Sequence, residues 1–418
     1  MQKDEIKKKN EKVKIEGNLI ELSLDVGNDQ GNSEQDIIID GTLIKSPNMY
    51  AFCAKRKSLY GQNQENFINN IENDIIIDIM ANDSISRTGT YYVGKAANTF
   101  GKAIRNIDIQ NNAKYKSKIP AITTIGQIAG YAVKKVYELG KLTKDVTINV
   151  NVDMALALPA RQYTLENVRQ YRKMFLDETF KTEIWTPDYG VNISIVFNYV
   201  HVIPEGATTA FALRYTKNEK IFESYNAKSE NEKKLNSAFF TNNENKRCLN
   251  VSIGEGTTDF PLVEGVKYNS DFLEGLDEGV GTAIERSLET IREDTKQKEF
   301  NRQKVSAIIK DKNNQYYDIV MNAIDAELEN IAEDITQKVQ TEVYRADGDI
   351  DLVCIYGGGS ILMRKYLEKN LQQIFEESKT CVFYIDEEFA VDIEARGLYA
   401  FLKTPIYEWA KKKYLEER

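Results

Sequence analysis

The stretch from Leu249 to Val263 contains the residues best suited to chemistry in this chain of 418 residues. It is predicted to form an apolar strand, the turn Gly254-Glu255-Gly256-Thr257-Thr258 and a second strand. The two glycines leave backbone N–H groups uncovered and the two threonines add hydroxyls, so a turn of this kind can bind an anion. The pattern therefore indicates phosphate binding.

The same arrangement occurs at two other places in the sequence. Leu19 to Val26 alternates like a half-buried strand, and Gly27 to Asn32 follows it as a turn before a second strand. Leu352 to Tyr356 runs into Gly357-Gly358-Gly359-Ser360 and then into a helical pattern. A single glycine turn is more often an ordinary hairpin. Three of them in this order, with Asp25 near the end of the first strand, form a far rarer combination.

With these motifs the chain resembles the actin-like ATPases, the superfamily of actin, the heat-shock chaperone ATPase domain and the sugar kinases. Asp25 to Asn28 is similar to the first phosphate loop of that superfamily, Gly254 to Asp259 to the second, and Gly357 to Gly359 to the adenosine motif. Within the superfamily the chain looks most like the ParM-type plasmid-segregation actins of bacteria. The resemblance extends from about Gly17 onward. It implies an α/β, two-domain actin-like (RNase H-like) fold with a nucleotide cleft between the domains.

The resemblance also assigns roles to single residues. Asp25 would be catalytic and would hold hydrated Mg²⁺, an ion that keeps several waters and prefers carboxylate or phosphate oxygens. ATP (or GTP) would be bound by residues of the three loops: Gly27, Asn28 and Asp29 in the first, Gly254, Gly256, Thr257 and Thr258 in the second, and Gly357, Gly358, Gly359 and Ser360 in the third.

A further site residue, outside the three loops, is expected where the strand from Val191 to Ile203 ends. Pro204-Glu205-Gly206 resembles the corner at which an acidic residue of the family orients the attacking water, so we expect Glu205 to be catalytic. The alternative is a glutamate that only favours the dipole at the start of a helix.

The second loop departs from its relatives at Ser252, where they usually have an aspartate. A serine hydroxyl is a poorer partner for a hard cation than a carboxylate, so the efficiency of ATP hydrolysis is left open. Glu255 could restore the missing charge, or its carboxylate could face solvent.

Strands and helices alternate along the chain, which is typical of an α/β architecture. Apolar spacing predicts amphipathic helices over Ala121–Leu139 and Ile319–Val343. We expect the following organisation: a charged N-terminal tail at 1–16, domain I at 17–215, a charged linker or insertion at 216–247, domain II at 248–393, and a closing helix at 394–418 that returns to domain I.

Composition limits the partners of the chain. A net charge of −9 argues against a surface that neutralises DNA phosphates, so no direct nucleic-acid binding is expected. The four cysteines are scattered and show no metal-ligand spacing, as in reduced cytosolic proteins. No apolar run approaches a membrane span, and His201 is expected to be an ordinary strand residue. We therefore expect a cytoplasmic protein without a membrane partner.

The function that the resemblance implies is that of an ATPase which forms filaments. Polymerisation would drive plasmid DNA segregation, and ATP hydrolysis would destabilise the filament. The partners would be further copies of the chain and a DNA-binding adaptor that carries plasmid centromere DNA. Two alternatives stay open: a nucleotide-binding filament scaffold with little or no hydrolysis, and a sugar-kinase-like phosphotransferase, which needs a small-molecule pocket that the sequence does not show.

Overall fold

The computed structural model describes residues 12–53, 56–59, 61–101, 103–107, 113–176, 178–215, 219–228, 234–241 and 246–417. The chain forms two compact units. Unit 1 consists of the described residues up to Leu158, of Thr164–Ile203 and of the residues from Leu398 on, while unit 2 consists of Pro159–Tyr163 and Pro204–Gly397. None of the described helices is long and apolar enough to cross a membrane.

Unit 1 is built on one large sheet. Within this sheet, strand β2 pairs antiparallel with β3 and parallel with β9. The order of the described strands is β4-β3-β2-β9-β11-β10-β6-β7-β5-β8, with β1 paired to β2. Their bounds are β1 (Val13–Glu16), β2 (Leu19–Gln30), β3 (Glu34–Ile39), β4 (Thr42–Pro47), β5 (Met49–Cys53), β6 (Ile76–Ile79), β7 (Gly89–Val93), β8 (Ile104–Asn106), β9 (Thr147–Leu158), β10 (Thr179–Trp185) and β11 (Gly190–Pro204).

The helices of unit 1 include the first amphipathic helix that the sequence predicts. They are α1 (Gln64–Asn69), α2 (Lys95–Phe100), α3 (Ile119–Glu138) and α4 (Leu165–Lys173). Helix α3 has Pro120 in its first turn, where a proline costs no hydrogen bond. Its apolar side chains at the predicted spacing, such as Ile125 and Ile128, are buried, which confirms the amphipathic pattern.

Unit 2 has a second, mixed sheet. Strand β12 pairs in parallel with β17, and β17 pairs in parallel with β18. The other neighbours of β12, which are β13 and β14, are antiparallel to it. The strands are β12 (Arg247–Ile253), β13 (Thr258–Asp259), β14 (Leu262–Glu264), β15 (Lys267–Tyr268), β16 (Gly275–Leu276), β17 (Leu352–Tyr356) and β18 (Cys381–Tyr384).

Helices cover the sheet of unit 2. The predicted helix near Ile319–Val343 is confirmed as α10, and its buried residues belong to one core with β12 and β17. The chain passes from unit 2 to unit 1 within α13. The helices are α5 (Thr209–Tyr215), α6 (Glu223–Lys228), α7 (Ser237–Thr241), α8 (Val280–Thr295), α9 (Arg302–Lys310), α10 (Tyr317–Arg345), α11 (Gly358–Ile374), α12 (Glu387–Ala390), α13 (Ile393–Phe401) and α14 (Pro405–Glu417).

Parts of the chain differ from the expected organisation. Within the expected tail at 1–16, residues 1–11 lie outside the described residues, and Val13–Glu16 form β1, which pairs with β2. Within the expected linker at 216–247, the described parts contribute Phe222 and Phe240 to a core cluster that includes β17. These aromatic residues are buried although charged residues surround them in the sequence. The remaining parts, 216–218, 229–233 and 242–245, lie outside the described residues.

Candidate functional site

The turn Gly254–Thr257 lies at the carboxyl end of β12, beside the carboxyl end of β17. The two strands are parallel with Ser252 opposite Tyr356, so both chains leave the sheet at the same edge. The turn is closed by a hydrogen bond of 2.9 Å from the backbone N–H of Gly254 to the carbonyl oxygen of Thr257. In open α/β sheets this edge is where ligands bind.

The glycines after β17 pack directly on the end of β12. Gly357 has a φ of 94°, and a Cβ there would overlap the carbonyl oxygen of Ile253. Only glycine fits this close approach without strain. A Cβ on Gly358 would meet no atom within 4 Å, so the first residue of α11 borders open space. The first N–H groups of a helix lack intrahelical acceptors and favour an anion, although that of Ser360 donates to the carbonyl oxygen of Gly357 at 3.1 Å.

The hydroxyls of the second and third loops have different roles. Thr258 is fully buried and donates a hydrogen bond of 2.9 Å to the carbonyl oxygen of Glu278. Ser360 is likewise buried and donates one of 2.7 Å to the carbonyl oxygen of Gly357. These two hydroxyls therefore hold the loops in shape, and the hydroxyl of the half-buried Thr257 donates a longer hydrogen bond of 3.3 Å to Oδ2 of Asp259.

The first loop does not turn at Gly27. Strand β2 continues to Gln30, and the turn to β3 contains Gly31, Asn32 and Ser33. Gly27 lies inside the sheet and faces α13, where a Cβ would be 2.5 Å from the backbone nitrogen of Tyr399. The glycine therefore permits close helix packing, and pairing on both sides carries the strand past it.

Asn28 also lies inside unit 1. Its side chain is fully buried, and its amide donates a hydrogen bond of 2.8 Å to the hydroxyl of Thr124 on α3. Gln30 and Gln35 donate to the amide oxygen of Asn28, at 3.2 and 2.9 Å. Asn28 thus belongs to a buried polar network beneath the hairpin and is not on the turn.

Asp25 and Asp29 lie on the same face of β2, but their positions along it differ. The carboxylate of Asp25 forms ion pairs with Lys12, at 2.8 Å, and with Lys403. Burial alone would raise the pKa of Asp25, but the hydrogen bonds from the two lysines outweigh it and lower the pKa. Asp29 is half-buried and is separated from Gly31 of the turn only by Gln30. Of the two, Asp29 is therefore next to the turn.

The corner after β11 belongs to unit 2 and carries Glu205. The backbone is held on both sides of the next residue: the N–H of Gly206 donates to Oε1 of Glu394 at 2.8 Å, and the carbonyl oxygen of Gly206 accepts from the hydroxyl of Tyr356 at 2.9 Å. Thr208 donates to Oε2 of Glu394. The half-buried Glu205 therefore stands on a rigid piece of backbone.

The structure is similar to solved structures of actin-like proteins. No protein-family model matches the chain, and no curated protein matches it. The actin-like protein Alp7A shares 15% identity with a TM-score of 0.63, over 95% of this chain and 99% of that one. ParM of Bacillus thuringiensis with ATP shares 16% identity with a TM-score of 0.57, over 93% and 99%. The archaeal actin homolog Ta0583 with ADP shares 16% identity with a TM-score of 0.58, over 91% and 100%.

The chain has the actin-like fold. The two-unit α/β architecture expected from the three motifs is thus confirmed. Sequence identities of 15–16% support similarity of fold and nothing finer. The roles of single residues therefore have to be argued from the geometry of this chain.

The side chain of Glu255 in the second loop contacts helix α9. The carboxylate of Glu255 forms an ion pair of 3.3 Å with Arg302 at the start of α9, and Ser306 donates a hydrogen bond to it at 3.3 Å. Arg302 is itself buried. Glu255 therefore faces α9, and the geometry does not favour it as a replacement for the charge that Ser252 lacks.

Glu394 is the residue of this site that the sequence analysis missed. The hydroxyl of Ser252 donates a hydrogen bond of 3.0 Å to its Oε1. The pKa of Glu394 is raised to about 7, because burial and, to a smaller extent, the nearby charge of Glu205 raise it more than the hydrogen bonds from Thr208, Gly206 and Ser252 lower it. One sequence signal could have revealed it. Its neighbours in the sequence include the apolar residues Ile393, Ala395 and Leu398, which are buried. This pattern places a carboxylate on the buried side of a helix, which is unusual.

Proposed function

We propose that this chain binds and hydrolyses ATP (or GTP) with Mg²⁺, and that the nucleotide controls its assembly into a filament that segregates plasmid DNA. The observation that carries the proposal is the edge of unit 2 where the turn Gly254–Thr257 meets Gly357–Gly359. Solved structures with the same fold include ParM of Bacillus thuringiensis with ATP and the archaeal actin homolog Ta0583 in complex with ADP.

Phosphate binding follows from the chemistry of this edge. The turn offers backbone N–H groups, and α11 begins beside it. The hydroxyl of Thr257 would donate to a phosphate oxygen in place of its 3.3 Å hydrogen bond to Asp259. Partial positive charge at a helix N-terminus favours an anion. Gly358 leaves space where any other side chain would protrude, so we infer that the nucleoside end of the ligand contacts Gly357–Gly359. Thr258 and Ser360 support these loops from inside.

In unit 1 we assign the metal-facing carboxylate to Asp29. Mg²⁺, when bound, neutralises the charge of the phosphates. A half-buried carboxylate beside the glycine turn suits an ion that keeps most of its waters. Asp25, which the sequence analysis assigned to this role, has its carboxylate engaged by Lys12 and Lys403. Gly27 and Asn28 would then shape the hairpin and would not contact the nucleotide.

For hydrolysis we infer that Glu205 accepts a hydrogen bond from the attacking water. The oxygen of this water would form a bond to the terminal phosphorus while the bond to the leaving diphosphate oxygen breaks. Phosphoryl transfer depends mainly on positioning and charge stabilisation, so one well-held carboxylate at this corner can suffice to orient the water. The N–H of Gly206 and the hydroxyl of Thr208 hold the backbone of that corner.

A second candidate is a filament scaffold that binds nucleotide with little hydrolysis. The observation that favours it is Ser252, because no carboxylate stands at this position of the second turn. The two functions share binding and assembly, and they differ in whether phosphate is released.

Assembly and cargo are the outer parts of the proposal. A nucleotide that binds one arrangement of a two-unit chain better than another shifts the population towards it, and contacts between copies can respond to that shift. The net charge of −9 disfavours direct DNA binding, so a basic adaptor would carry the centromere DNA. We place the protein in the cytoplasm.

Sedimentation with light scattering, combined with phosphate release, tests the proposal. Assembly and phosphate release are measured in the presence of ATP, GTP, ADP or AMPPNP, each with Mg²⁺ and, separately, with excess chelator. We expect assembly with ATP or GTP and Mg²⁺, followed by phosphate release and disassembly. Assembly without phosphate release would favour the scaffold. A chain that neither binds a nucleotide nor assembles at high concentration would contradict both functions.

A further inference from the structure

Glu394 is a buried carboxylate with three polar partners from two parts of unit 2. Its Oε1 accepts from the backbone N–H of Gly206 at 2.8 Å and from Ser252 at 3.0 Å, and its Oε2 accepts from Thr208. Only 6% of the residue is exposed. All three partners act as donors, so the surroundings are built for a group that accepts hydrogen bonds.

Burying a carboxylate is costly unless it is hydrogen-bonded, and apolar packing is often as stable as a buried ionic group. Helix α13 is otherwise packed closely here, since a Cβ on Gly397 would overlap the carbonyl oxygen of Thr208. A small apolar residue would therefore serve if contact between α13 and the corner were all that the fold required. The acid at position 394 points to a further role.

The hydrogen bonds of Glu394 connect the two pieces of unit 2 that the proposed reaction needs. One is the corner that follows Glu205, and the other is the end of β12, where Ser252 precedes the turn at Gly254. The charge of Glu205 is near enough to raise the pKa of Glu394. A carboxylate at position 252 would come close to Glu394, where two negative charges disfavour each other. Serine at 252 and glutamate at 394 are thus complementary.

We propose that Glu394 is a positioning residue for nucleotide hydrolysis, which fixes the corner that carries Glu205 and returns to the end of β12 the negative charge that Ser252 does not provide. The proposal rests on the hydrolysis inferred under Proposed function.

The test compares Glu394→Gln, Ser252→Asp and the double variant Ser252→Asp/Glu394→Gln with the native chain. Glu394→Gln keeps the shape of the side chain and removes its charge. We expect nucleotide affinity within about twofold of the native value and a kcat lower by about 100-fold, the low end of the usual range for groups that act on a transferred proton or water. We also expect the pH profile of kcat to lose the step that this acid contributes.

Ser252→Asp alone places two carboxylates together, so we expect lower kcat and a lower melting temperature. The double variant has one carboxylate again, on the strand. We expect its kcat to return to within about tenfold of the native value and its melting temperature to within a few degrees. Recovery is a coupling between contacting sites and can be measured by a double-mutant cycle. The melting temperature gives a measurement that does not depend on hydrolysis.

The matched control is Glu342→Gln on α10. Glu342 is a fully buried carboxylate of the same unit, paired with Lys338 at 2.8 Å and Arg345 at 2.7 Å. This variant should lose stability and keep the native kcat. A general effect of losing a buried charge would lower kcat in both Glu→Gln variants.

The outcomes separate the two proposals. If the native chain releases phosphate and Glu394→Gln has the native kcat and pH profile, the role of Glu394 is refuted and the proposed function stands. The same holds if Ser252→Asp raises kcat and the double variant gains nothing. If the native chain binds nucleotide but releases no phosphate under any condition, hydrolysis itself fails, and the positioning role fails with it.

Discussion

Asp29 and Ser252 occupy equivalent places in the two units. Each lies near the carboxyl end of a strand with a parallel neighbour on one side and an antiparallel neighbour on the other, and one residue separates each from the glycine that opens a turn. Strands β2 and β12 are thus similar in their local connections. One of the two turns has a carboxylate at this place, and the other has a hydroxyl that is bound to Glu394.

The first prediction separates Asp29 from Asp25. Asp29→Asn should raise the Mg²⁺ concentration for half-maximal phosphate release and lower activity by about 10- to 100-fold, the usual effect of losing a group that orients a metal's ligands. Asp25→Asn should lower the unfolding free energy by at most about 1 kcal/mol, because its ion pairs with Lys12 and Lys403 are partly exposed. A larger shift in Mg²⁺ dependence for Asp25→Asn would return the metal role to that residue.

The second prediction concerns Glu205. Glu205→Ala should lower the rate of phosphate release by about two to four orders of magnitude, the scale of a general base or a water-positioning group. Assembly should persist and disassembly should slow, because nucleotide binding does not require this side chain. Phosphate release measured beside light scattering tests both parts. A native rate in this variant would leave Glu205 as a glutamate near the start of a helix.

The third prediction uses the open space at Gly358. The methyl group of Gly358→Ala would have no atom of the described residues within 4 Å and would replace glycine in a helix, so the unfolding free energy should stay the same or rise by about 0.5 kcal/mol. If the nucleotide contacts this residue, the added methyl group should weaken ATP binding by about tenfold. Calorimetric titration and thermal unfolding measure the two effects.

Gly27→Ala is the matched control for Gly358→Ala. Its Cβ would be 2.5 Å from the backbone nitrogen of Tyr399, so it should destabilise unit 1 by several kcal/mol. Equal ATP affinity of Gly358→Ala and the native chain would argue against a ligand at the start of α11.

The fourth prediction follows from the pKa of Glu394, which burial raises from 4.5 to about 7. The folded chain keeps this proton over a range in which the unfolded chain has released it. The contribution of Glu394 to the unfolding free energy should therefore fall as the pH rises from about 4.5 to about 7 and be constant outside that window. Glu205 and Tyr356 are the titratable groups whose charges act on or respond to Glu394.

Glu394→Gln removes this titration. The difference in unfolding free energy between the native chain and the variant, followed by denaturant titration, should change across that window in the stated direction. A difference that is independent of pH would show that the carboxyl group has an ordinary pKa in the folded state.

Local patterns were sufficient for much of the fold. The apolar spacing near Ile125 and along α10 predicted both helices, because a helix that packs on a sheet repeats its apolar residues with its own period. The glycine turns after β12 and β17 were located correctly, since each follows an apolar strand that ends at its first glycine. The resemblance of these motifs to those of the actin-like ATPases implied the actin-like fold.

Only the tertiary structure decided which residues meet. Gly27 resembles a turn glycine in the sequence, but pairing on both sides of β2 and the approach of Tyr399 place it inside the sheet, with the turn at Gly31. The partner of Ser252 stands at position 394, and no local pattern encodes a hydrogen bond across such a separation. Periodicity is a property of neighbours along the chain and therefore predicts elements. The position of a charged side chain depends on packing between distant segments. That packing brings the carboxylate of Glu394 to the hydroxyl of Ser252.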